Sequence, residues 1–402
     1  MTKCRVCGTE IIKFFSLGEM PLVNTFRKKK DTKEKKYDLS IGFCPNCYLI
    51  QLMKHVSPQE IFEDYIYFSS VSQSVLDHSK KTAEYLSKRL RLTKDSLVIE
   101  TGSNDGVHLQ FYKKKGIRVL GIDPAKNIAK IANEKGIKTL PEFFNLKLAK
   151  RLAGENAIKA DVLYGANVFA HVPEIIDFVK GVKIILNSKG TAVFEFPYLK
   201  GLLENKFDTV YHEHVFYYSL IALQNLFERV NLEIYDVEFV NMQGGSLRIF
   251  VSHQDVYKIS SRVINLADTE KKEKFNKITT YKRMNIQVRK IKKDMDKLFM
   301  ELKKKKKNIA GYGAPAKGII LINHFDMSKY LDFIVDKSKA KQGLYIPGTN
   351  IQVLPIEEIM KRKPDYVFIL CWNIKDEIIQ QLNLYKKSGG KFIIPIPDLT
   401  IY

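Results

Sequence analysis

A short segment near the middle of the chain combines side chains that can move a proton. It reads Tyr211, His212, Glu213, His214. A histidine can accept a proton near neutral pH, a neighbouring carboxylate can orient its ring, and a tyrosine can hold a carbonyl oxygen or the oxyanion formed from it. His171 follows a predicted strand, where open α/β sheets place their sites. The segment predicts acid–base chemistry; the alternative is a hydrogen-bonded aromatic cluster.

A glycine loop upstream of this segment has the form of a nucleoside-binding turn between a strand and a helix. Its candidate cofactor contacts are Glu100, Gly102, Asn104, Asp105 and Gly106, with Asp123 and Asn167 after later strands. Asp123 can accept hydrogen bonds from both hydroxyls of a ribose. The loop lacks the second glycine of a dinucleotide fingerprint, which favours a cofactor without pyrophosphate and predicts S-adenosylmethionine. The alternative is that its glycines serve only the turn.

A second glycine loop is closer to a dinucleotide fingerprint. Gly311, Gly313 and Ala316 have the expected spacing, and Asp336 follows at about the interval of a ribose-binding acid. Taken alone, this loop predicts NAD. Lys317 could meet a diphosphate at the N-terminus of the following helix, so a nucleotide-linked substrate explains the same residues.

Two Cys-x-x-Cys pairs stand near the start of the chain. They are Cys4 with Cys7 and Cys44 with Cys47. This spacing allows four thiolates to surround one tetrahedral zinc ion, and a site closed by four cysteines has a structural role. The alternative is a redox pair, but no thioredoxin-like unit surrounds these cysteines.

Composition limits the classes of partner. The net charge of +22 favours anionic partners, yet the lysine runs contain no interleaved aromatic residues, and we therefore expect no nucleic-acid partner. No apolar stretch has the length of a signal peptide or a membrane span. We expect a cytoplasmic protein without a membrane partner, as a monomer or homodimer.

Short apolar strands alternate with helices twice along the chain, which predicts an α/β protein with two Rossmann-like units. The predicted domains are a zinc-binding module over 1–60, a first Rossmann-like domain with a helical lead-in over 61–255, a helical connection over 256–307 and a second Rossmann-like domain over 308–402. Residues 258–307 are predicted to form one long helix or a helical pair.

The order of these features resembles the sugar C-methyltransferases that act on nucleotide-linked 4-keto-6-deoxyhexoses. The resemblance covers essentially the whole chain. It implies that 61–255 is a class I S-adenosylmethionine-dependent methyltransferase domain and that 308–402 is a Rossmann-like nucleotide-sugar-binding domain. It rests on the two cysteine pairs, Glu63-Asp-Tyr65-Ile-Tyr67, the loop 102–106, Ala170-His171-Val-Pro173, Tyr211-His-Glu-His214, the loop 311–317 and Trp372-Asn373.

The resemblance implies roles for individual residues. His214 is similar to the family's general base, Tyr211 and Glu213 to its substrate-orienting neighbours, and His171 to an assisting residue. Tyr65 resembles an active-site tyrosine, with Tyr67 as the alternative. His212 departs from an acidic residue at that place, which leaves the substrate open. The substrate-binding residues implied are Tyr67, Tyr312, Lys317 and Asn373.

The implied reaction is removal of the proton beside the 4-keto group by His214, followed by methyl transfer to the enolate carbon, most simply C3. The implied substrate is a nucleotide-diphosphate sugar, and the implied cofactors are S-adenosylmethionine and a structural zinc ion. Two alternatives stay open: an NAD-dependent nucleotide-sugar oxidoreductase or epimerase, and an O-methyltransferase on the same class of substrate.

Overall fold

A computed structural model describes most of the chain. The described residues are 2–31, 33–62, 68–154, 157–242 and 244–402. Tyr65 and Tyr67, predicted to belong to the site, lie outside them.

The strands of the described residues form three sheets. In chain order they are β1 (Ile12–Met20), β2 (Tyr37–Phe43), β3 (Ile50–Leu52), β4 (Leu97–Thr101), β5 (Arg118–Ile122), β6 (Thr139–Leu140), β7 (Ala160–Ala166), β8 (Leu186–Pro197), β9 (Phe216–Tyr217), β10 (Leu232–Val240), β11 (Ser246–His253), β12 (Ile309–Tyr312), β13 (Phe333–Val335), β14 (Val353–Leu354), β15 (Tyr366–Ile369), β16 (Lys391–Ile394) and β17 (Thr400–Ile401).

The helices connect these strands and cover the sheets. In chain order the α-helices are α1 (Pro58–Phe62), α2 (Gln73–Arg89), α3 (Leu109–Lys113), α4 (Lys126–Glu134), α5 (Leu146–Gly154), α6 (Ile175–Ile185), α7 (Lys200–Leu203), α8 (Leu220–Glu228), α9 (Ser261–Lys272), α10 (Ile278–Lys282), α11 (Met284–Lys304), α12 (Ala316–Phe325), α13 (Glu358–Arg362), α14 (Lys375–Gln381) and α15 (Asn383–Lys387). Short 3₁₀ helices span Ser69–Val71, Phe169–His171, Phe207–Thr209, Met327–Lys329 and Trp372–Ile374.

The central sheet has seven strands in the order β10-β11-β8-β7-β4-β5-β6. Strands β8, β7, β4, β5 and β6 are parallel, whereas β11 is antiparallel to β8 and to β10. Strand β4 is fully buried and β7 almost fully buried, as expected where helices cover both faces. The predicted doubly wound sheet is therefore present, and the β10–β11 hairpin at its edge was not anticipated.

The first sheet joins the N-terminal module to the central part of the chain. Its order is β1-β2-β3-β9, so β9, which follows the Tyr211–His214 segment, pairs with β3. Phe216 and Tyr217 in β9 are buried. This pairing fixes the proton-transfer segment against the module that carries the four cysteines.

The third sheet is a second Rossmann-like unit, in the order β14-β13-β12-β15-β16-β17. All of its pairings are parallel except that of β16 with β17. The predicted α/β class with a small cysteine module and two Rossmann-like sheets is thus confirmed. The predicted domain boundaries stay predictions.

The prediction of one long helix or a helical pair over 258–307 was wrong, because three helices occupy this region: α9, α10 and α11. Lys274 has a left-handed backbone with φ of 60°, which ends regular helix after α9. Phe275 and Tyr281 on either side of the break are fully buried. Burial of these two aromatic side chains stabilises the bend.

Among the residues described, no helix combines the length and apolar character needed to cross a lipid bilayer.

Candidate active site

A cavity of about 1060 Å³ opens at the carboxyl ends of the parallel strands β4, β5, β7 and β8. It is also lined by residues from the N-terminal module and from the C-terminal sheet. Most of the predicted site residues line it: Glu100, Gly102, Asn104, Asp123, Asn167, His171, Tyr211, Glu213, His214, Lys317 and Asn373. The tertiary structure therefore brings together residues that are far apart in sequence.

Three predicted residues do not line this cavity. The buried carboxylate of Asp105 turns away to pair with Lys135 at 2.7 Å. Gly106 has a φ of 78°, and a Cβ there would come within 2.9 Å of the Ile137 side chain, so its role is in the turn. The Tyr312 hydroxyl donates to Oε1 of Gln381 at 2.9 Å.

The acidic end of the cavity has the chemistry of a cofactor site. Asp123 follows β5 directly, and its two carboxylate oxygens accept from the backbone N–H groups of Asn104 and Ala125 at 2.9 and 3.0 Å. Glu100 in β4 is buried, and its Oε2 has no hydrogen-bond partner among the described residues. Burial, reinforced by the charges of Asp123 and Asp105, raises the pKa of Glu100 well above its usual range.

This end of the cavity fits S-adenosylmethionine. A buried carboxyl oxygen without a partner calls for a donor from a ligand, and a positively charged ligand would favour its ionised form. Gly102, with φ of 62°, gives the tight turn that lets the backbone approach a ligand. Asn104 and Asn167 also have positive φ and line the same space. Asp123 lines this space directly after β5.

The histidine of the proton-transfer segment is held in one tautomer. Nδ1 of His214 lies 2.8 Å from the carbonyl oxygen of Thr209, which can only accept, so Nδ1 carries the hydrogen. Nε2 then carries the lone pair, and the Tyr211 hydroxyl donates to it at 2.6 Å. Burial, with a smaller contribution from His171, lowers the pKa of His214 well below its usual value. The ring is neutral at pH 7 and can accept a proton.

The neighbours of His214 are arranged around it. The His171 ring centre lies 5.0 Å from that of His214, and burial lowers the pKa of His171 to about 4. Glu213 accepts a hydrogen bond from the Asn24 amide of the N-terminal module. His212 faces the other way, with Nε2 3.2 Å from the Tyr37 carbonyl oxygen, and does not line the cavity. His212 and His214, two residues apart in sequence, therefore have different surroundings.

A buried charged network beside the cavity was missed by the sequence analysis. Glu195 in β8 accepts from Arg248 at 2.8 Å and from Tyr164 at 3.0 Å, and it pairs with His78 at 2.7 Å. These partners outweigh burial and lower the pKa of Glu195 to about 2. The position of Glu195 at the carboxyl end of a predicted strand was a signal that could have found it. Its charged partners, His78 and Arg248, lie in α2 and β11, which sequence alone does not bring near.

Further lining residues were also missed. Phe143, Phe144 and Asn145 follow β6, and their place after a strand at the same edge of the sheet could have indicated them. His55 comes from the N-terminal module and Lys341 from the loop after β13. No local sequence signal marks these two residues.

The second glycine loop is blocked by a side chain where a dinucleotide would approach. A Cβ on Gly313 would lie 1.9 Å from Sγ of Cys371, so this sulfur occupies the space above the glycine. Asp336 accepts from the N–H groups of Ala314 and Ser338, both at 2.7 Å, and so holds the loop itself. Within the loop 311–317, only Pro315, Ala316 and Lys317 line the cavity. This geometry counts against NAD.

The four cysteines of the N-terminal module come together as predicted. Sγ of Cys4 lies 3.5 Å from that of Cys47, and Sγ of Cys7 lies 3.4 Å from that of Cys44. All four sulfurs lie within 4.8 Å of one another. Zn–S bonds of about 2.3 Å in a tetrahedron require sulfurs just under about 4 Å apart, so the set fits zinc and leaves no open position.

Comparison with known families divides the chain into three matched regions. Residues 4–62 match a family described as "Putative zinc binding domain". Residues 76–237 match a methyltransferase domain, and residues 241–397 match a C-methyltransferase C-terminal domain.

Similar proteins are found among characterised sequences and solved structures. C-methyltransferase NovU from Streptomyces niveus is 33% identical over 402 residues, which cover 98% of this chain and 96% of that protein. An S-adenosylmethionine-dependent methyltransferase from Clostridium acetobutylicum is 11% identical over 44% of this chain and 92% of its own, with a TM-score of 0.37. The CcbJ methyltransferase from Streptomyces caelestis is 14% identical over 44% of this chain and 89% of its own, with a TM-score of 0.35.

Proposed function

Because the chain belongs to the family of S-adenosylmethionine-dependent C-methyltransferases, we propose that it methylates a carbon of a nucleotide-linked 4-keto-deoxysugar, most simply C3. The observation that carries this proposal is the position of His214. Its Nε2 lone pair is set by the Thr209 carbonyl and accepts from the Tyr211 hydroxyl, and His214 lines a cavity shared with the acidic residues Glu100 and Asp123.

S-adenosylmethionine supplies a methyl group on a positively charged sulfur, so the chain must supply binding, orientation and a carbon nucleophile. Binding is assigned to Glu100, Gly102, Asn104, Asp123 and Asn167. The sequence also predicted Asp105 and Gly106 as contacts; their placement supports an indirect role, through the shape of the loop.

His214 is proposed as the base that removes the proton beside the ketone. A ketone acidifies the hydrogen on the adjacent carbon, and a neutral buried imidazole is in the correct form to take it at pH 7. The Thr209 carbonyl keeps the hydrogen on Nδ1 and prevents the ring from turning. Tyr211 and His171 pack against the ring and are proposed to orient it.

The nucleotide part of the substrate is assigned to the C-terminal side of the cavity. Lys317 at the start of α12, Lys341 and Asn373 line this side. Cationic side chains and the N-terminus of a helix favour an anionic group such as a diphosphate. Glu213, held by Asn24, is placed to accept from a sugar hydroxyl. Tyr65 and Tyr67 remain predicted contacts from the segment that precedes α2, and Tyr312 remains a predicted contact although its hydroxyl bonds Gln381.

The decisive experiment offers the purified protein S-adenosylmethionine labelled with ¹³C on the methyl group. The substrates are 4-keto-6-deoxyhexoses linked to thymidine, uridine, guanosine or cytidine diphosphate. Nuclear magnetic resonance of the product should show the label on carbon. A label on oxygen would support the O-methyltransferase alternative, because a hydroxyl nucleophile needs no acidic carbon. NAD-dependent oxidation or epimerisation without labelling would overturn the proposal.

A further inference from the structure

Lys317 differs from the other lysines of the chain in its surroundings. It lies in the first turn of α12, is only 9% exposed, and lines the same cavity as His214. Its Nζ lies 5.3 Å from the centre of the Trp372 ring. Lysine is among the residues least often buried, because removing an ammonium group from water costs free energy. A buried lysine that faces a reaction cavity therefore calls for a function.

The surroundings of Lys317 connect it to the base. The Trp372 indole N–H donates to Oδ2 of the fully buried Asp208 at 2.6 Å, and Asp208 is an electrostatic partner of Lys317. Asp208 belongs to the 3₁₀ turn Phe207–Thr209, whose last residue orients His214. Phe207 of this turn packs on Phe325 of α12, with ring centres 5.5 Å apart. One turn thus positions both the ammonium group and the imidazole.

Removal of a proton from the sugar carbon requires a partner for the oxygen that becomes negative. The Tyr211 hydroxyl is the donor that the sequence suggested for this purpose, but its hydrogen is directed to Nε2 of His214. Nε2 has one lone pair, so this hydrogen bond must break before Nε2 can take the substrate proton, and the phenol is then only a neutral donor for the ketone oxygen. An ammonium group in a cavity shielded from water stabilises a developing oxyanion more strongly than a neutral donor does.

We propose that Lys317 is a catalytic residue that stabilises the enolate oxygen formed when His214 removes the proton. This inference rests on the proposed function. In the step, the Tyr211 hydroxyl no longer donates to Nε2 of His214, the C–H bond beside the ketone breaks, and its proton forms an N–H bond with Nε2. The electron pair of that bond forms a carbon–carbon double bond, and the carbonyl π pair moves to the oxygen, which the Lys317 ammonium group stabilises. The C-terminal domain thereby contributes to the chemistry as well as to substrate binding.

A diphosphate contact is the alternative role for Lys317, and Lys341 allows the two to be separated. Lys341 also lines the cavity from the C-terminal side, but it is more exposed and its Nζ donates to the Ala314 carbonyl at 2.9 Å. Loss of a lysine that only binds phosphate should raise the sugar concentration needed for half-maximal exchange. A lysine that stabilises the enolate should change the rate when the enzyme is saturated.

The test follows hydrogen exchange with no methyl transfer. Wild-type protein, Lys317→Met and Lys341→Met are incubated in deuterated water with S-adenosylhomocysteine and the panel of nucleotide-linked 4-keto-6-deoxyhexoses. Deuterium uptake beside the ketone is measured over a range of sugar concentrations. We expect Lys317→Met to lower the saturated exchange rate by about 100-fold or more, as for loss of an oxyanion donor. Lys341→Met should mainly raise the sugar concentration for half-maximal exchange.

Controls separate this result from misfolding. Lys317→Met with Asp208→Asn removes both charges while the amide still accepts from Trp372, and it should show the same loss of exchange as the single variant. Lys339→Met, at an exposed position, should exchange like wild type. Binding of S-adenosylhomocysteine should persist in every variant.

Saturated exchange at the wild-type rate in the folded Lys317→Met protein would overturn the inference and leave the proposed function intact. Weakened affinity for the nucleoside diphosphate, with an unchanged saturated rate, would assign Lys317 to phosphate binding and also overturn it. Absence of both exchange and methylation in the wild-type protein, across the whole panel, would instead remove the proposed function on which it rests.

Discussion

The hydroxyl of Tyr211 donates to Nε2 of His214 at 2.6 Å, and the two rings lie 3.9 Å apart. Because Nδ1 of His214 is engaged by the Thr209 carbonyl, the nitrogen that Tyr211 contacts is the one with the free pair. The Tyr211 hydroxyl therefore occupies the position beside Nε2 that a substrate hydrogen must reach. Substrate has to displace this hydrogen bond before Nε2 can take a proton from carbon, because the nitrogen has one lone pair.

Replacement of His214 by asparagine should abolish both deuterium exchange and methyl transfer. Loss of a general base typically lowers the rate by about 10² to 10⁴-fold, and asparagine has no basic nitrogen. Exchange by mass spectrometry and binding of S-adenosylhomocysteine by calorimetry are the measurements, and binding should be retained. His212→Asn is the matched control, since His212 faces Tyr37 outside the cavity. Near wild-type methylation in His214→Asn would move the base to another residue, with His171 the nearest candidate.

The rate of exchange at saturating sugar should be flat around neutral pH and should fall only on the acid side, below about 6.5. Burial, then His171, then Lys317 lower the pKa of His214, while the Thr209 carbonyl opposes them. The folded protein thus keeps this ring neutral at a pH where a free histidine is protonated. A pH–rate profile of exchange checks this. An acid limb centred above 6.5 would contradict the assignment of a buried neutral base.

Buried neutral histidines should also make the fold less stable in acid. Burial lowers the pKa of His108 to about 3 and that of His171 to about 4. An unfolded histidine binds a proton near pH 6.5, so their contribution is complete above 6.5 and is lost as the pH falls below it. Each such ring changes the free energy of unfolding by about 1.4 kcal/mol per pH unit in that window.

Urea denaturation between pH 6.5 and 5 measures this slope. In His108→Phe the slope of the unfolding free energy against pH should decrease by the equivalent of one proton relative to wild type. Phenylalanine keeps an aromatic ring against Tyr164 but has no titrating group. An unchanged slope in this variant would mean that His108 titrates normally in the folded protein.

Substitution of Cys44 by serine should release zinc and lower the stability of the N-terminal module. A structural zinc site supplies much of the folding free energy of a small module. Zinc per protein by elemental analysis, with thermal unfolding, tests this. Cys371→Ser is the control for zinc content, because its sulfur lies at Gly313, far from the cluster in the fold. Methylation should also decrease in Cys44→Ser, since β3 pairs with β9 beside His214.

Asp123→Ala should weaken binding of S-adenosylmethionine by about 1 to 3 kcal/mol. The carboxylate is placed for a ribose and also fixes the loop through the Asn104 N–H. Calorimetry with S-adenosylmethionine gives the change, and Asp95→Ala, at an exposed position, is the control. Wild-type affinity in Asp123→Ala would remove this residue from the cofactor site.

Local patterns in the sequence were enough for most of the parallel strands of the two Rossmann-like sheets, the two glycine loops and the cysteine cluster. Each of these depends on residues close together in the chain: apolar runs for buried strands, glycine where φ is positive, and paired thiols at metal-ligand spacing. Glu100, Asp123 and Asn167, which the sequence analysis assigned to one cofactor, line one cavity because parallel strands present their carboxyl ends together.

Tertiary contacts decided what the sequence left open. Gly311 and Gly313 matched a dinucleotide loop, but Cys371, 58 positions beyond Gly313, fills the space that the match required. Phe275 is fully buried at the break after α9. Glu195 is paired with side chains from α2 and β11. Lys317 and His214 line one cavity although they are far apart in sequence, and the packing of Phe207 on Phe325 joins their segments. Burial and charge between distant segments are properties of the packed chain, so a spacing rule, which compares neighbours in sequence, cannot supply them.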